Sequence, residues 1–227
     1  PVGRGRKLTA PPVKVHAEAA QIAVYQPERL RSDVDREPIA VVQADLFIVA
    51  AFGKIFGPKL LALPRLGCVN LHASLLPAYR GASPISAAIL QGAAETGVTL
   101  MQMDAGLDTG PILAMRSIPV RFDDTTVTLT NRLADLGAEL LSDSLDDLAG
   151  GSLIPVAQEN CGASLTRPMV KADGRIDWHQ PAVSIERQVR AMWDWPRAWT
   201  TLEGNPVQIH KARVEDESPD VPCGTVV

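Results

Sequence analysis

Cys68-Val69-Asn70-Leu71-His72-Ala73-Ser74-Leu75-Leu76-Pro77-Ala78-Tyr79-Arg80-Gly81 opens as an apolar strand and breaks into a loop at its proline. Asn70, His72 and Ser74 fall at alternate positions, so a strand with a side-chain period of two points all three to one face. A row of polar groups at a strand end is costly to bury unless each finds a partner. In an open α/β sheet that strand end is also where ligands bind. A histidine beside an asparagine can combine proton transfer with stabilisation of a developing oxyanion. The spacing fits a satisfied core histidine with two loop-capping groups equally well.

Working outward, Leu46 to Phe52 is an unbroken apolar run, expected as a strand buried on both faces. Gly53 and Gly57-Pro58 punctuate it, and a short helix over Lys59 to Leu63 leads to the organising strand. This strand–helix–strand rhythm predicts an α/β fold with a doubly wound, mostly parallel sheet. Further upstream, Val13 to Ala23 has helical spacing, Val24 to Pro27 reads as a short strand, and residues 28–44 read as a loop and a helix. Downstream, Ser83-Pro84 starts a helix that ends near Gly92. Strands over Thr96 to Met103 and Ile112 to Val120 flank the loop Asp104 to Pro111. Asp123 to Thr126 begins a long helix through about Leu148, stopped by Gly150-Gly151.

Residues 152–180 are broken by polar residues and prolines and read as a linker. Ile185 to Trp193 follows as a helix, and Glu203-Gly204-Asn205 marks a hairpin between Thr200 and Ile209. Gly224 to Val227 reads as the start of another strand. The expected organisation is a catalytic domain over 1–151, a linker over 152–180, and a partial barrel-like domain over 181–227.

Composition places the chain among ordinary globular proteins, with 46% hydrophobic and 21% charged residues. The apolar runs are too short for a helical membrane span, and no secretory leader opens the sequence, so a cytoplasmic location is expected. Cys68, Cys161 and Cys223 lie far apart, which argues against a zinc site or a disulfide framework. The net charge of −4 hides an asymmetry: residues 1–94 carry +5 and residues 95–227 carry −9. Arg4, Arg6, Lys7 and Lys14 open the chain with no acid among them, and Asp45 to Glu95 has no acid between. Both clusters suit an anionic partner, although a solvated basic face would look the same.

Asp108 is the second polar anchor, in a loop with Gly106 and Gly110. Its carboxylate could orient His72, or it could bond its own turn, as aspartates in such loops do. Asp108-Thr109-Gly110 also invites comparison with aspartic peptidases, which need two such carboxylates. One copy, set among alternating strands and helices, suits that reading poorly.

Asn70-Leu71-His72, Ser74-Leu75-Leu76-Pro77 with Arg80-Gly81, and Gly97-Val98-Thr99 leading to Leu107-Asp108-Thr109-Gly110 together closely resemble the formyltransferase family that uses 10-formyltetrahydrofolate. Gly3-Arg4-Gly5-Arg6-Lys7-Leu8, Met101 to Asp104 and Arg175 to Trp178 resemble its tRNA-directed branch. The resemblance implies a Rossmann-like catalytic domain in which Asn70, His72 and Asp108 are catalytic. Ser74, Leu75, Leu76, Pro77, Asp104 and Gly106 would bind the folate, and Arg4, Arg6 and Lys7 would contact tRNA. It implies transfer of a formyl group to the α-amine of methionine on initiator methionyl-tRNA, by a monomer without a metal or membrane partner. Family members begin with a strand and helix before the Gly-Arg loop and end in a full barrel, so the resemblance also implies a polypeptide truncated at both ends. Formyl transfer to a small amine, formyl-folate hydrolysis, or a non-catalytic RNA-binding role remain the alternatives.

Overall fold

The computed structural model describes residues 9–53, 55–215 and 221–225. The chain divides into two compact units, residues 1–44 and 45–227. Arg4, Arg6, Lys7 and the last two residues of the expected C-terminal strand lie outside the described residues.

The first unit contains helices α1 (Pro12–Ala19) and α2 (Asp33–Ala40). Pro12 supplies the fixed φ of a first helical residue. Ser32 caps α2 by accepting the Asp35 N–H, while the Asp35 carboxylate accepts the Ser32 N–H. These bonds, the Ser32 amide first, hold the Asp35 carboxyl below its ordinary value. The strand expected over Val24 to Pro27 does not form. No neighbouring strand offers it a ladder among the described residues, and Val24 and Tyr25 remain exposed.

The second unit is built on a sheet of four strands in the order β1-β2-β4-β5. In chain order its elements are β1 (Phe47–Ala50), α3 (Pro58–Leu61), β2 (Cys68–His72), β3 (Arg80–Gly81), α4 (Pro84–Gln91), β4 (Glu95–Gln102), β5 (Ile112–Pro119) and α5 (Thr126–Gly150). There follow β6 (Leu165–Thr166), a 3-10 turn over Lys171–Gly174, α6 (Ala182–Ala191), and the hairpin strands β7 (Ala198–Leu202) and β8 (Asn205–Ile209). The α/β, Rossmann-like architecture holds, and its strand pairings are mixed: β1 runs parallel to β2, whereas β2–β4 and β4–β5 are antiparallel. β1 lies at the edge of the described sheet, so Val49 is buried while Ile48 is 45% exposed, unlike the doubly buried strand expected.

α5 covers the sheet because Leu129, Leu133, Leu136 and Leu140 recur at intervals of three and four and form one stripe. That stripe packs with Val69, Ile89, Val98 and Leu100 into the main core. Thr125 caps the helix in a reciprocal arrangement with Thr128, and Gly151 ends it in the left-handed region. The Asp124–Arg132 pair and an Arg132 bond to the Pro119 carbonyl tie its first turns to the end of β5.

A smaller core of Ile176, Ile185, Val189, Met192 and Ala198 joins α6 to β7. The hairpin turns at Glu203-Gly204, both with positive φ, at the place the sequence indicates. Among the described residues no helix is long and apolar enough to cross a membrane.

Candidate active site

β2 ends at His72, and the loop that follows folds back over it. Asn70 pairs with Met101 and His72 with Thr99 across the antiparallel ladder, so the two share a face of the strand. His72 is 6% exposed. Its Nε2 lies 3.0 Å from the Tyr79 carbonyl. A carbonyl only accepts, so Nε2 carries the hydrogen and Nδ1 is left as the nitrogen that can take up or release a proton. Nδ1 faces Asp108 Oδ2 at 3.6 Å, beyond hydrogen-bond length, where the carboxylate stabilises the imidazolium once Nδ1 has taken up a proton. The Asn70 amide is half-buried and makes no hydrogen bond among the described residues. The structure therefore brings Asn70, His72 and Asp108 to one strand end.

Asp108 does not bond its own turn. Its Oδ2 accepts the Gly81 N–H at 2.8 Å, across 27 residues. Its backbone has φ 53°, in the left-handed region that aspartate tolerates better than most residues. The local turn bonding falls to Asp104, which accepts the Gly106 N–H and the Thr109 hydroxyl, each at 2.9 Å. Asp104 and Gly106 are thus a braced, exposed loop rim. Gly110 is required by contact: a Cβ there would lie 1.8 Å from the Gln102 carbonyl oxygen.

Ser74 is fully buried, and its hydroxyl donates to the Ala78 carbonyl at 2.6 Å. It shapes the loop from within. Thr99 secures the same loop from β4, accepting the Leu76 N–H at 3.1 Å and donating to the Ser74 carbonyl at 2.7 Å. Leu76 is buried, while Leu75 and Pro77 are partly exposed around the bend. Burial pushes the Cys68 thiol at the start of the strand up to about 11, so it stays protonated and unreactive. Burial also raises the Tyr79 phenol, whose hydroxyl donates to Gln91.

Several residues that hold the site went unseen in the sequence. The segment read as a linker wraps onto the loop: Ser164 Oγ accepts the Tyr79 N–H at 2.8 Å, and Thr166 Oγ donates to the Arg80 carbonyl and accepts the Ser83 N–H. β3 and β6 pair in parallel there. A Cβ at Gly81, with φ 104°, would lie 2.2 Å from the Thr166 carbonyl oxygen. Gln158 bridges the two loops. None of these partners carries a local signal, because each bond spans some eighty residues or about fifty. A separate open cavity of about 470 Å³ lies between α4, β6 and α6, lined by Leu90, Met169, Arg175, Gln188 and Met192 among others. No group of three or more metal-ligating side chains gathers among the described residues.

A family model described as formyl transferase matches residues 1–145, and one described as formyl transferase, C-terminal domain, matches residues 168–227. A methionyl-tRNA formyltransferase of Methylococcus capsulatus is 45% identical over 227 residues, all of this chain and 74% of that protein. A Mycobacterium tuberculosis structure described as a sugar N-formyltransferase superposes with a TM-score of 0.71 at 25% identity, covering 91% of this chain and 93% of the other. HypX of Aquifex aeolicus, solved with tetrahydrofolic acid, has a TM-score of 0.63 at 22% identity, over 72% of this chain and 28% of that one. Sheet, loop architecture and sequence all point the same way, and the chain belongs to the formyl transferase family.

Proposed function

We propose that the protein transfers the formyl group of 10-formyltetrahydrofolate to the α-amine of methionine on initiator methionyl-tRNA, the step that prepares it for the start of protein synthesis. The observation that carries this reading is the His72 imidazole held by Nε2, with Nδ1 facing the Asp108 carboxylate beside the free amide of Asn70. The 45% identity to a methionyl-tRNA formyltransferase selects the acceptor.

In this reading the amine attacks the formyl carbon and negative charge develops on the formyl oxygen. The Asn70 amide donates to that oxygen, and one such donor is worth roughly 10²–10³ in rate. The amine must lose a proton. His72 Nδ1 receives it, with the imidazolium stabilised by Asp108, an effect of roughly 10²–10⁴. Collapse of the tetrahedral intermediate then breaks the bond between the formyl carbon and N10, and the proton held on His72 passes to N10, releasing tetrahydrofolate and the formylated amine. The folate lies against the loop of Ser74, Leu75, Leu76 and Pro77 and the rim of Asp104 and Gly106. Ser74 acts by holding that loop, since its hydroxyl is committed to Ala78. Arg4, Arg6 and Lys7 meet the tRNA phosphates, which makes binding salt-dependent. The working protein is a cytoplasmic monomer with no metal in its chemistry. Its catalytic domain covers 1–151, residues 152–180 connect, and 181–227 begin a barrel-like tRNA-binding domain.

The test is formyl transfer from 10-formyltetrahydrofolate to initiator and elongator methionyl-tRNA, with a His72→Ala control. Transfer to the initiator, abolished in His72→Ala with tRNA affinity retained, is the expected result. Transfer to an amino sugar nucleotide and not to tRNA would replace the acceptor. Undiminished transfer by His72→Ala would refute the site.

A further inference from the structure

We infer that Gln158 is a positioning residue for this reaction: its amide clamps Arg80, the residue after His72's carbonyl partner Tyr79, to the loop that carries Asp108. The inference rests on the site reading above and adds a residue from outside the catalytic loops.

Gln158 is half-buried in the segment that follows α5. Its Oε1 accepts two bonds from the Arg80 guanidinium, from Nε at 3.0 Å and Nη2 at 2.7 Å. Its Nε2 donates to the Asp108 carbonyl at 2.9 Å and the Gly110 carbonyl at 2.7 Å. A primary amide has two donor hydrogens and two acceptor lone pairs, so this side chain is fully used. The guanidinium polarises the amide and strengthens its two donors.

Asp108 is consequently held at both ends. Its carboxylate is fixed to the 80–81 backbone by the Gly81 N–H, and its carbonyl is fixed to the Arg80 side chain through Gln158. The Arg80 backbone adjoins Tyr79, whose carbonyl fixes His72 Nε2. Gln158 thus closes a circuit from one partner of the imidazole to the other. Without it, Asp108 keeps a single tether, and the φ 53° turn that aims its carboxylate loses its brace.

Two variants separate positioning from simple cohesion. Gln158→Ala removes all four bonds. Gln158→Glu keeps the length and a charged acceptor for Arg80, but turns a carboxylate oxygen toward two carbonyls and donates nothing. Formyl transfer is measured with the folate and the tRNA each varied, alongside thermal unfolding and the His72→Ala control. Both variants should lose roughly 10²-fold in kcat, the scale of a misplacement near 1 Å, with KM for either substrate little changed. Gln158→Glu should still unfold cooperatively but at a lowered midpoint, since Arg80 retains its partner while the Asp108 and Gly110 carbonyls lose their donor. A Gln158→Glu enzyme with wild-type kcat, or a loss seen only in KM, overturns the inference while His72→Ala remains inactive. Activity retained by His72→Ala refutes the site itself, and the role of Gln158 falls with it.

Discussion

Replacing Thr99 by valine tests whether one hydroxyl holds the loop over the site. Thr99 is fully buried, and its Oγ both donates to the Ser74 carbonyl and accepts the Leu76 N–H. Valine fills the same shape, so no cavity forms and the change isolates the two lost bonds. Each buried group left without a partner costs about 1–3 kcal/mol, which puts the substitution at about 2–6 kcal/mol. At roughly 2–4 °C per kcal/mol for a chain of this size, the unfolding midpoint should fall by about 4–24 °C. Urea unfolding gives the same quantity directly. The loss should also reach catalysis, because the loop runs on to the Tyr79 carbonyl that fixes His72. Thr99→Ser is the control: it keeps the hydroxyl and gives up one methyl, about 1 kcal/mol. If Thr99→Val lies within about 0.5 kcal/mol of wild type, or if Thr99→Ser is equally damaging, the reasoning from paired buried groups is wrong.

Thr96, on the same strand, makes the opposite prediction. Its buried Oγ has no hydrogen-bond partner among the described residues, so Thr96→Val should be neutral or stabilising by up to about 1 kcal/mol in the same urea titration. Gly110→Ala places a carbon 1.8 Å from the Gln102 carbonyl oxygen, and the loop must move; kcat should drop by roughly 10²-fold with the fold retained by circular dichroism. Acid stability should report on the 3-10 turn. The Arg167 guanidinium and then the Val170 N–H hold the Asp173 carboxyl below its ordinary 3.8. A depressed carboxyl stabilises the fold above its unfolded value and loses that contribution as pH falls through the folded one. Asp173→Asn should therefore flatten the stability curve below about pH 4 and leave its acid limb closer to that of Arg167→Met.

What could be read from the chain was what repeats over short distances. The period of two displayed Asn70, His72 and Ser74 together, and the three-and-four spacing of leucines displayed the buried stripe of α5. Thr125 and Gly151 marked its ends through bonds reaching only three or four residues. What escaped was pairing at a distance. The local turn bond that was the alternative for Asp108 belongs to Asp104, and nothing within the D-x-G spelling distinguishes an aspartate that bonds its turn from one that reaches Gly81. Thr99 looked like any strand residue, since its partners are at least 23 residues away. Val24 to Pro27 had the composition of a strand and no strand to pair with among the described residues. β1 had the composition of a central strand, yet its Ile48 is nearly half exposed.

The bonds from Gln158, Ser164 and Thr166 back to residues 79–83 span 78 to 86 positions. On the ribosome the N-terminal part of a chain emerges first, at roughly 5–20 residues per second. The sheet and α5 can collapse as soon as residue 150 is free, but the loop beside His72 then still lacks its fastening. Competence for chemistry must trail the core by the roughly one to three seconds needed to make the next segment, up to Thr166. Closing so wide a circuit costs little extra entropy, because each doubling of loop length adds only about 0.6 kcal/mol. The delay is one of order, and it means that a nascent chain arrested short of Thr166 would hold the core between sheet and α5 without an assembled catalytic centre.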